Sequence, residues 1–262
     1  MNLLNKEDMY KIVPLFNGWD KTMIWSCLQG YMGNAWVNDL KNPVSAQIIT
    51  GDFCFFAGVP DMELVNNIPE SFPSKCILMI PQNEEWGKLI EQEYKNNCLR
   101  FMRYAIKKEP GVFDTTKLSE NIRRLTPEFQ IKRIDREIYS RIEQEEWSRD
   151  LCSQFPTYSE FEKNGIGFVV LEGSRLVSGA SSYTVYDRGI EIEIDTRQEY
   201  RRKGLALACA SKLILECLEK DLYPAWDAAN MESVKLAEKL GYHFDKEYVT
   251  YAVTVHQGFI TK

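Results

Sequence analysis

"IEIEIDTRQEYRRKGLALACA", residues 190–210, is the stretch on which the fold turns. From Ile190 to Asp195 isoleucine and acid alternate strictly, which is the period of a β-strand. A short polar segment follows. Then come three consecutive cations (Arg201, Arg202, Lys203), a single glycine (Gly204) and a small, apolar run that reads as helix to about Lys220. A solvated basic face explains the cations alone. An anion site at a helix start explains cations, glycine and helix together, because the first N–H groups of a helix lack internal acceptors and sit at the positive end of its dipole. Gly204 removes a side chain where a bulky group has to approach the backbone, and Ala206 keeps a nearby position small. Two other phosphate motifs fail. A P-loop places its lysine after the last glycine, whereas Lys203 precedes Gly204, and a dinucleotide fingerprint needs further glycines.

The neighbouring segments give this stretch a topological setting. Upstream, "EFQIKRID" (128–135) reads as a strand, followed by helical segments at Arg136–Ile142 and about Glu146–Lys163, interrupted by Pro156. "GIGFVVLEG" (165–173) and "RLVSGASSYTVYD" (175–187) are strands joined by turn residues. Downstream, "YPAWDAA" (223–229) is a short strand. "NMESVKLAEKLG" (230–241) is a helix with Asn230 as N-cap and Gly241 just past its end, and "KEYVTYAVTV" (246–255) is a final strand. The order is β-α-α-β-β-β-α-β-α-β, so the helix after Gly204 must cross between two strands.

The first part of the chain is also mixed α/β. "KEDMYKIVPLF" (6–16) and "DKTMIWSCLQGYM" (20–32) read as short helices, and "AQIITGDFCFFAG" (46–58) as a strand pair. "KCILMIP" (75–81) reads as a buried strand, "NEEWGKLIEQEYK" (83–95) as a helix capped by Asn83, and "LRFMRYAIKK" (99–108) as a strand. The polar segment "EPGVFDTTKLSENIRRLTPE" (109–128) suggests a boundary near residue 125. The expected domains are therefore 1–125, a smaller α/β domain, and 126–262.

Composition narrows the function. The chain has 262 residues, a net charge of −6 and 44% apolar residues. That balance argues against a general nucleic-acid binder and is compatible with a cationic substrate. The start "MNLLNKEDMY" has no apolar signal region, and no apolar run approaches the ~18 residues of a membrane helix, so no membrane partner is expected. Seven cysteines without a CxxC pair suit reduced thiols in a cytoplasm. His243 and His256 lie far from any paired cysteines, and no metal site is expected. Oligomeric state is not fixed by the sequence, which is compatible with a homodimer.

"YRRKGLA", the downstream Asn230 and Ser233, "LAEKLGY" and the element order together resemble the GNAT acyltransferase superfamily, over roughly residues 127–255. That superfamily binds acetyl-coenzyme A through an (Arg/Gln)-x-x-Gly-x-(Gly/Ala) loop, matched here by Arg201, Gly204 and Ala206. More narrowly, "RQEYRRKGLA" with "WDAANMESVKLAEKLGY" resembles the zwittermicin A resistance-type subgroup, in which an α/β extension precedes the acyltransferase domain. The fold implied is an α/β mixed sheet. The function implied is acetyl transfer from acetyl-CoA to a primary amine of a small molecule, including an antibiotic. An acyl-CoA-binding sensor and a protein or peptide N-acetyltransferase are the alternatives.

The resemblance also implies a site. The strand Ile190–Asp195 would part from Tyr223–Ala228, and the backbone of Ile194, Asp195 and Thr196 would face the pantetheine arm. Amides from Arg202 through Lys203, Gly204 and Leu205 to Ala206 would hold the pyrophosphate, with Arg201 at its mouth and Asn230 and Ser233 as further cofactor contacts. Ordinary roles stay open for the last two, as a helix cap and a solvated hydroxyl. Of the carboxylates on the alternate face of the strand, Glu191 and then Glu193 are the expected general bases, and Asp195 a cap for backbone amides. Carboxylates Glu143, Glu145, Glu146 and Asp150 either line an approach for a cationic acceptor or form a solvated helix face. Two departures from the family pattern stand out. Ala237 occupies the place of the usual tyrosine acid, and the distance from Ile194 to Arg201 is longer than usual.

Overall fold

The computed structural model describes residues 1–255, so His256 lies outside the described range. The chain forms two compact units. One is Met1–Arg103 joined by the segment from Glu247 onward, and the other is Tyr104–Lys246.

In the first unit, strand β1 (Asn2–Leu3) is followed by two 3-10 turns, Lys6–Lys11 and Val13–Phe16, where the sequence suggested a helix. Then come α1 (Thr22–Leu28), β2 (Asn34–Val37), β3 (Ser45–Thr50), β4 (Phe53–Gly58), α2 (Met62–Val65), β5 (Cys76–Pro81), α3 (Glu84–Tyr94) and β6 (Cys98–Ile106). β1 to β4 pair antiparallel in succession, and β4 then pairs parallel with β5. Asn83 caps α3 as expected, accepting N–H groups from Glu85 and Trp86, and buried Trp86 and Ile90 fix the inner face of that helix.

The second unit holds α4 (Thr115–Arg123), β7 (Phe129–Arg133), α5 (Arg136–Gln144), α6 (Tyr158–Asn164), β8 (Gly167–Glu172), β9 (Arg175–Tyr186) and β10 (Gly189–Thr196). It continues with α7 (Leu205–Glu219), β11 (Tyr223–Ala225), β12 (Asp227–Ala228) and α8 (Met231–Leu240), and β13 (Phe244–Thr254) is the last element among the described residues. Its main sheet has the order β11-β10-β9-β8-β7. β7 to β10 pair antiparallel in succession, and β10 pairs parallel with β11. The two units therefore repeat one strand pattern: four antiparallel strands, then a parallel fifth.

Two later strands cross the boundary between the units, β6 at Arg103/Tyr104 and β13 at Lys246/Glu247. The end of β13 pairs antiparallel with β5, from Tyr251 opposite Met79 to Thr254 opposite Cys76. The end of β6 pairs antiparallel with β12, with Tyr104 opposite Ala228 and Ala105 opposite Asp227. For this reason the units divide at Arg103/Tyr104 and Lys246/Glu247 rather than near residue 125. The polar stretch that suggested a linker contains α4. Asp114 caps it, Leu118 is buried, and Asn121 donates from Nδ2 to Ser211 Oγ of α7 at 3.1 Å. With so few apolar residues its helical face is faint in the sequence.

α7 packs against β8, β9 and β10. Ala208, Cys209 and Ala210 are buried along it, and their small side chains let the helix lie close to the sheet. Gly241 ends α8 in the left-handed region, as its position predicted. The next residue, Tyr242, is buried and donates its hydroxyl to the carbonyl of Pro224 at 2.5 Å, tying the end of α8 to β11. Tyr242→Phe strands that buried carbonyl. The variant should lose about 1–3 kcal/mol in urea denaturation while keeping its circular dichroism spectrum.

Candidate functional site

β10 and β11 run together for three pairs only: Gly189 with Tyr223, Ile190 with Pro224, and Glu191 with Ala225. Beyond Glu191, β10 continues to Thr196 along β9, while the other arm breaks at Trp226 before β12. The expected parting of the strands is present, and it starts after Glu191. Two local features accompany it. The β9 pairing shifts register between Glu191 and Ile192, skipping Tyr183 on β9. The Trp226 indole donates to the Ser233 hydroxyl at 3.0 Å, pinning the β11–β12 break to the first turn of α8.

A 3-10 turn, Gln198–Tyr200, accommodates the extra length between the strand and the basic loop. Arg202 and Gly204 have φ values of 64° and 79°, so the loop makes two left-handed steps before α7. Asn83, Asp114 and Asn230 cap their helices with side-chain oxygens, but α7 starts on Gly204 with no side-chain cap. Its first N–H groups remain available to an external acceptor. A Cβ at Gly204 would meet nothing within 4 Å, so the space before the helix is open. Arg201, Arg202 and Lys203 are exposed there. Cations at the positive end of a helix are unfavourable by themselves and become favourable once an anion sits among them. Leu205 is buried in the core and Ala206 half-buried, so at these positions only the backbone is offered.

The acidic strand divides into three environments. Glu191 is buried at the closed end of the parting, opposite Thr184 of β9 and close enough to Tyr242 to help hold its hydroxyl proton. Glu193 folds back on its own strand, accepting the N–H of Ile194 at 3.2 Å. Asp195 lies half-buried on the open part of the strand. Burial and then the Asp150 carboxylate push it up to about 6, while Arg201 and the N–H of Thr196 pull it down. Thr196 shares a 2.7 Å hydroxyl contact with Ser178. Cross-strand partners place Glu193 beside Ser181 and Asp195 beside Gly179. Ser181 donates to the Leu151 carbonyl, and a Cβ on Gly179 would run into the Leu151 side chain. Both acids therefore face the 3-10 turn Arg149–Leu151.

The remaining expected residues have structural duties. Asn230 caps α8, its Oδ1 accepting the Ser233 N–H at 2.9 Å, and the Ser233 hydroxyl serves Trp226. Ala237 is buried, so no acid stands at that position. Glu145 is paired with Arg197, whereas Glu143, Glu146 and Asp150 are exposed. The influence of Asp150 on Asp195 was not visible in the sequence, because a helix and two strands separate the turn of Asp150 from the strand of Asp195.

Among the described residues, the first unit shows no such opening. Its parallel pair holds from Phe53 opposite Leu78 to Phe56 opposite Pro81, and Gln82 extends it by bonding both Phe56 O and the Gly58 N–H. Trp86 Nε1 covers the Gly58 carbonyl at 3.0 Å. The helix after β4 is four residues long, and Asp61 caps it, its carboxylate accepting the Glu63 N–H at 2.8 Å.

A GNAT acetyltransferase family model matches residues 13–251. A solved structure of a GCN5-related N-acetyltransferase-like protein from Streptococcus suis has 45% identity and a TM-score of 0.89, covering 94% of this chain and 98% of that one. An uncharacterised N-acetyltransferase of Bacillus subtilis, YdfB, is 29% identical over 187 residues, which span 68% of this chain and 66% of that relative. A tandem GNAT protein from the clavulanic acid biosynthesis pathway, 8% identical, shares the fold over 96% of this chain and 97% of its own, with a TM-score of 0.58. The chain belongs to the GNAT acetyltransferase family, and the mixed α/β fold expected from the sequence is the one observed.

Two outcomes test the site. Gly204→Glu aims a carboxylate into the open space before α7, where the resemblance puts the pyrophosphate, and acetyl-CoA affinity should fall at least about 100-fold, roughly 2.7 kcal/mol, with the fold retained. Gly204→Ala, which carries only the positive-φ strain, should lose less. Isothermal titration should give one acetyl-CoA per chain, because the first unit's strand pair is closed.

Proposed function

We propose that this GNAT acetyltransferase moves the acetyl group of acetyl-CoA to a primary amine of a small, cationic acceptor, with Asp195 as the base. The observation that carries the reading is the coincidence of three features at one place: the parting of β10 from β11, the uncapped α7 start at Gly204, and a half-buried acid on the open strand. The residues fit a bound coenzyme A. Amides of Arg202–Ala206 would hold its pyrophosphate, and backbone groups of Ile194, Asp195 and Thr196 would meet the pantetheine as an added strand. On that reading Glu193 gives up the Ile194 N–H when the cofactor arrives.

Bound acetyl-CoA supplies an activated acyl group and a thiol leaving group of pKa near ~8.5. The chain supplies proton handling and orientation. An acceptor amine enters as an ammonium and must lose a proton before it attacks. Glu191 and Glu193 were the expected bases. Glu191 sits at the closed end and Glu193 is engaged with backbone, which favours Asp195 for the role. Asp150 and Asp195 together draw a positively charged acceptor toward the opening. Leaving as thiolate, or taking a proton from water, removes the need for the acid that Ala237 does not provide. Seven free cysteines are consistent with work in a reducing cytoplasm, and among the described residues no helix is long and apolar enough to cross a membrane. Aminopolyol antibiotics belong in the acceptor panel because of the subgroup resemblance. The buried Ala237 favours one rival reading, an acyl-CoA sensor with little turnover.

The pH dependence has a definite sign. Asp195 acts only when deprotonated, so kcat/KM measured by thiol release should rise with pH through about 6. Asp150→Asn removes a neighbouring negative charge and should move that limb to lower pH. Asp195→Asn should abolish the limb and cost roughly 10²- to 10⁴-fold, whereas Glu191→Gln and Glu193→Gln should retain it. A limb that survives in Asp195→Asn rules the assignment out. Acetyl-CoA binding without thiol release across the amine panel would instead select the sensor.

A further inference from the structure

Arg197 follows the acidic strand and belongs to none of the roles above. Its main-chain N–H donates to Val177 O at 3.0 Å, and its Nε donates to Leu176 O at 2.7 Å, so the residue is locked to the start of β9 from two sides. The guanidinium then reaches out to the carboxylate of Glu145 and lies 5.1 Å from the centre of the Trp147 ring. Trp147 Nε1 donates to the same carboxylate at 2.7 Å. An arginine that meets a carbonyl, a carboxylate and an aromatic face at once is a rigid three-way junction, which a lysine does not reproduce.

Glu145 in turn anchors the turn that carries Asp150. Its carbonyl accepts the N–H groups of Ser148 and Arg149, at 3.2 and 3.1 Å. The buried Ser148 hydroxyl bonds the carbonyls of Ile142 and Glu145, and Ser181 of β9 donates to Leu151 O on the far side. Asp150 is therefore suspended between two fixed points, Glu145 and Leu151. The clasp thus links Arg197, just past the acidic strand, to the turn whose Leu151 packs on Gly179, the cross-strand partner of Asp195. We propose that Arg197 is a positioning residue, whose clasp on Glu145 and Trp147 holds the Asp150 turn over Asp195. The role in catalysis rests on the reading of Asp195 as base; the clasp itself does not.

Charged groups around Asp195 are Asp150 from the 3-10 turn and Arg201 from the basic loop, with Glu193 on the same strand. Releasing the turn takes Asp150 away and leaves Arg201 in place, so the Asp195 carboxyl should titrate at lower pH. Arg197→Lys keeps the charge and breaks the junction, which separates positioning from the field of the cation. The titration is read on the free enzyme by carbon NMR of the labelled Asp195 carboxyl, and beside it as the acid limb of kcat/KM. In Arg197→Lys the Asp195 midpoint should drop by at least half a pH unit, with acetyl-CoA affinity unchanged. In an Asp150→Asn background the same substitution should produce no further drop. Trp147→Phe, which keeps an aromatic face but loses the indole N–H, gives a smaller shift in the same direction and serves if Arg197→Lys does not fold. An unmoved midpoint in the folded variants, or an equal drop without Asp150, overturns the proposal. A midpoint that drops while the kinetic limb stays put upholds the clasp and refutes Asp195 as base.

Discussion

The parting of β10 from β11 after Glu191 and Ala225 is the constraint from which the rest of the second unit follows. A strand that leaves its partner in a folded core exposes N–H and C=O groups, and such groups need acceptors and donors. The register shift at Tyr183 and the break at Trp226, held by its bond to Ser233, keep the two arms apart. The first unit repeats the strand order and shows the alternative. There Gln82 and Trp86 saturate the backbone where the corresponding opening would be, and Asp61 occupies the start of the short helix. One repeat keeps an opening and an uncapped helix start, and the other has filled both from its own side chains.

Chemistry is placed by position along that parted strand. Three acids two residues apart experience a closed end, a backbone contact and an open edge. Burial disfavours charge, a neighbouring carboxylate disfavours it further, and a guanidinium restores part of it. For Asp195 these influences leave a carboxyl near 6, the range a base needs near neutral pH. The loop from Arg202 to Gly204 takes two left-handed steps beside the end of that strand, where Arg201 Nε reaches back to Thr196 O, and Leu205 lies in the core.

Much of this was legible in the sequence because it depends on local pattern. The alternation at Ile190–Asp195, the single glycine before the Leu205 helix, the Asn230 cap and Gly241 each predicted a backbone feature that is present. What depends on tertiary placement was not legible. The crossing of β6 and β13 from one unit to the other has no local signature, and the polar stretch before residue 125 holds α4 instead of a linker. The influence of Asp150 on Asp195 arises only after β8, β9 and β10 are paired. The Ser233 hydroxyl accepts the Trp226 indole N–H, a contact that no local pattern announces. The Arg197 clasp was equally hidden, its members lying on separate elements with ordinary charges.

Amide hydrogen exchange with and without acetyl-CoA tests the central claim most directly, because the claim concerns backbone groups. The account predicts new protection along Ile192–Thr196 and Arg202–Ala206, and no change at Phe53–Gly58 of the first unit. Protection confined to the first unit, or saturating cofactor that leaves the parted strand and the Gly204 loop exchanging as before, would contradict it.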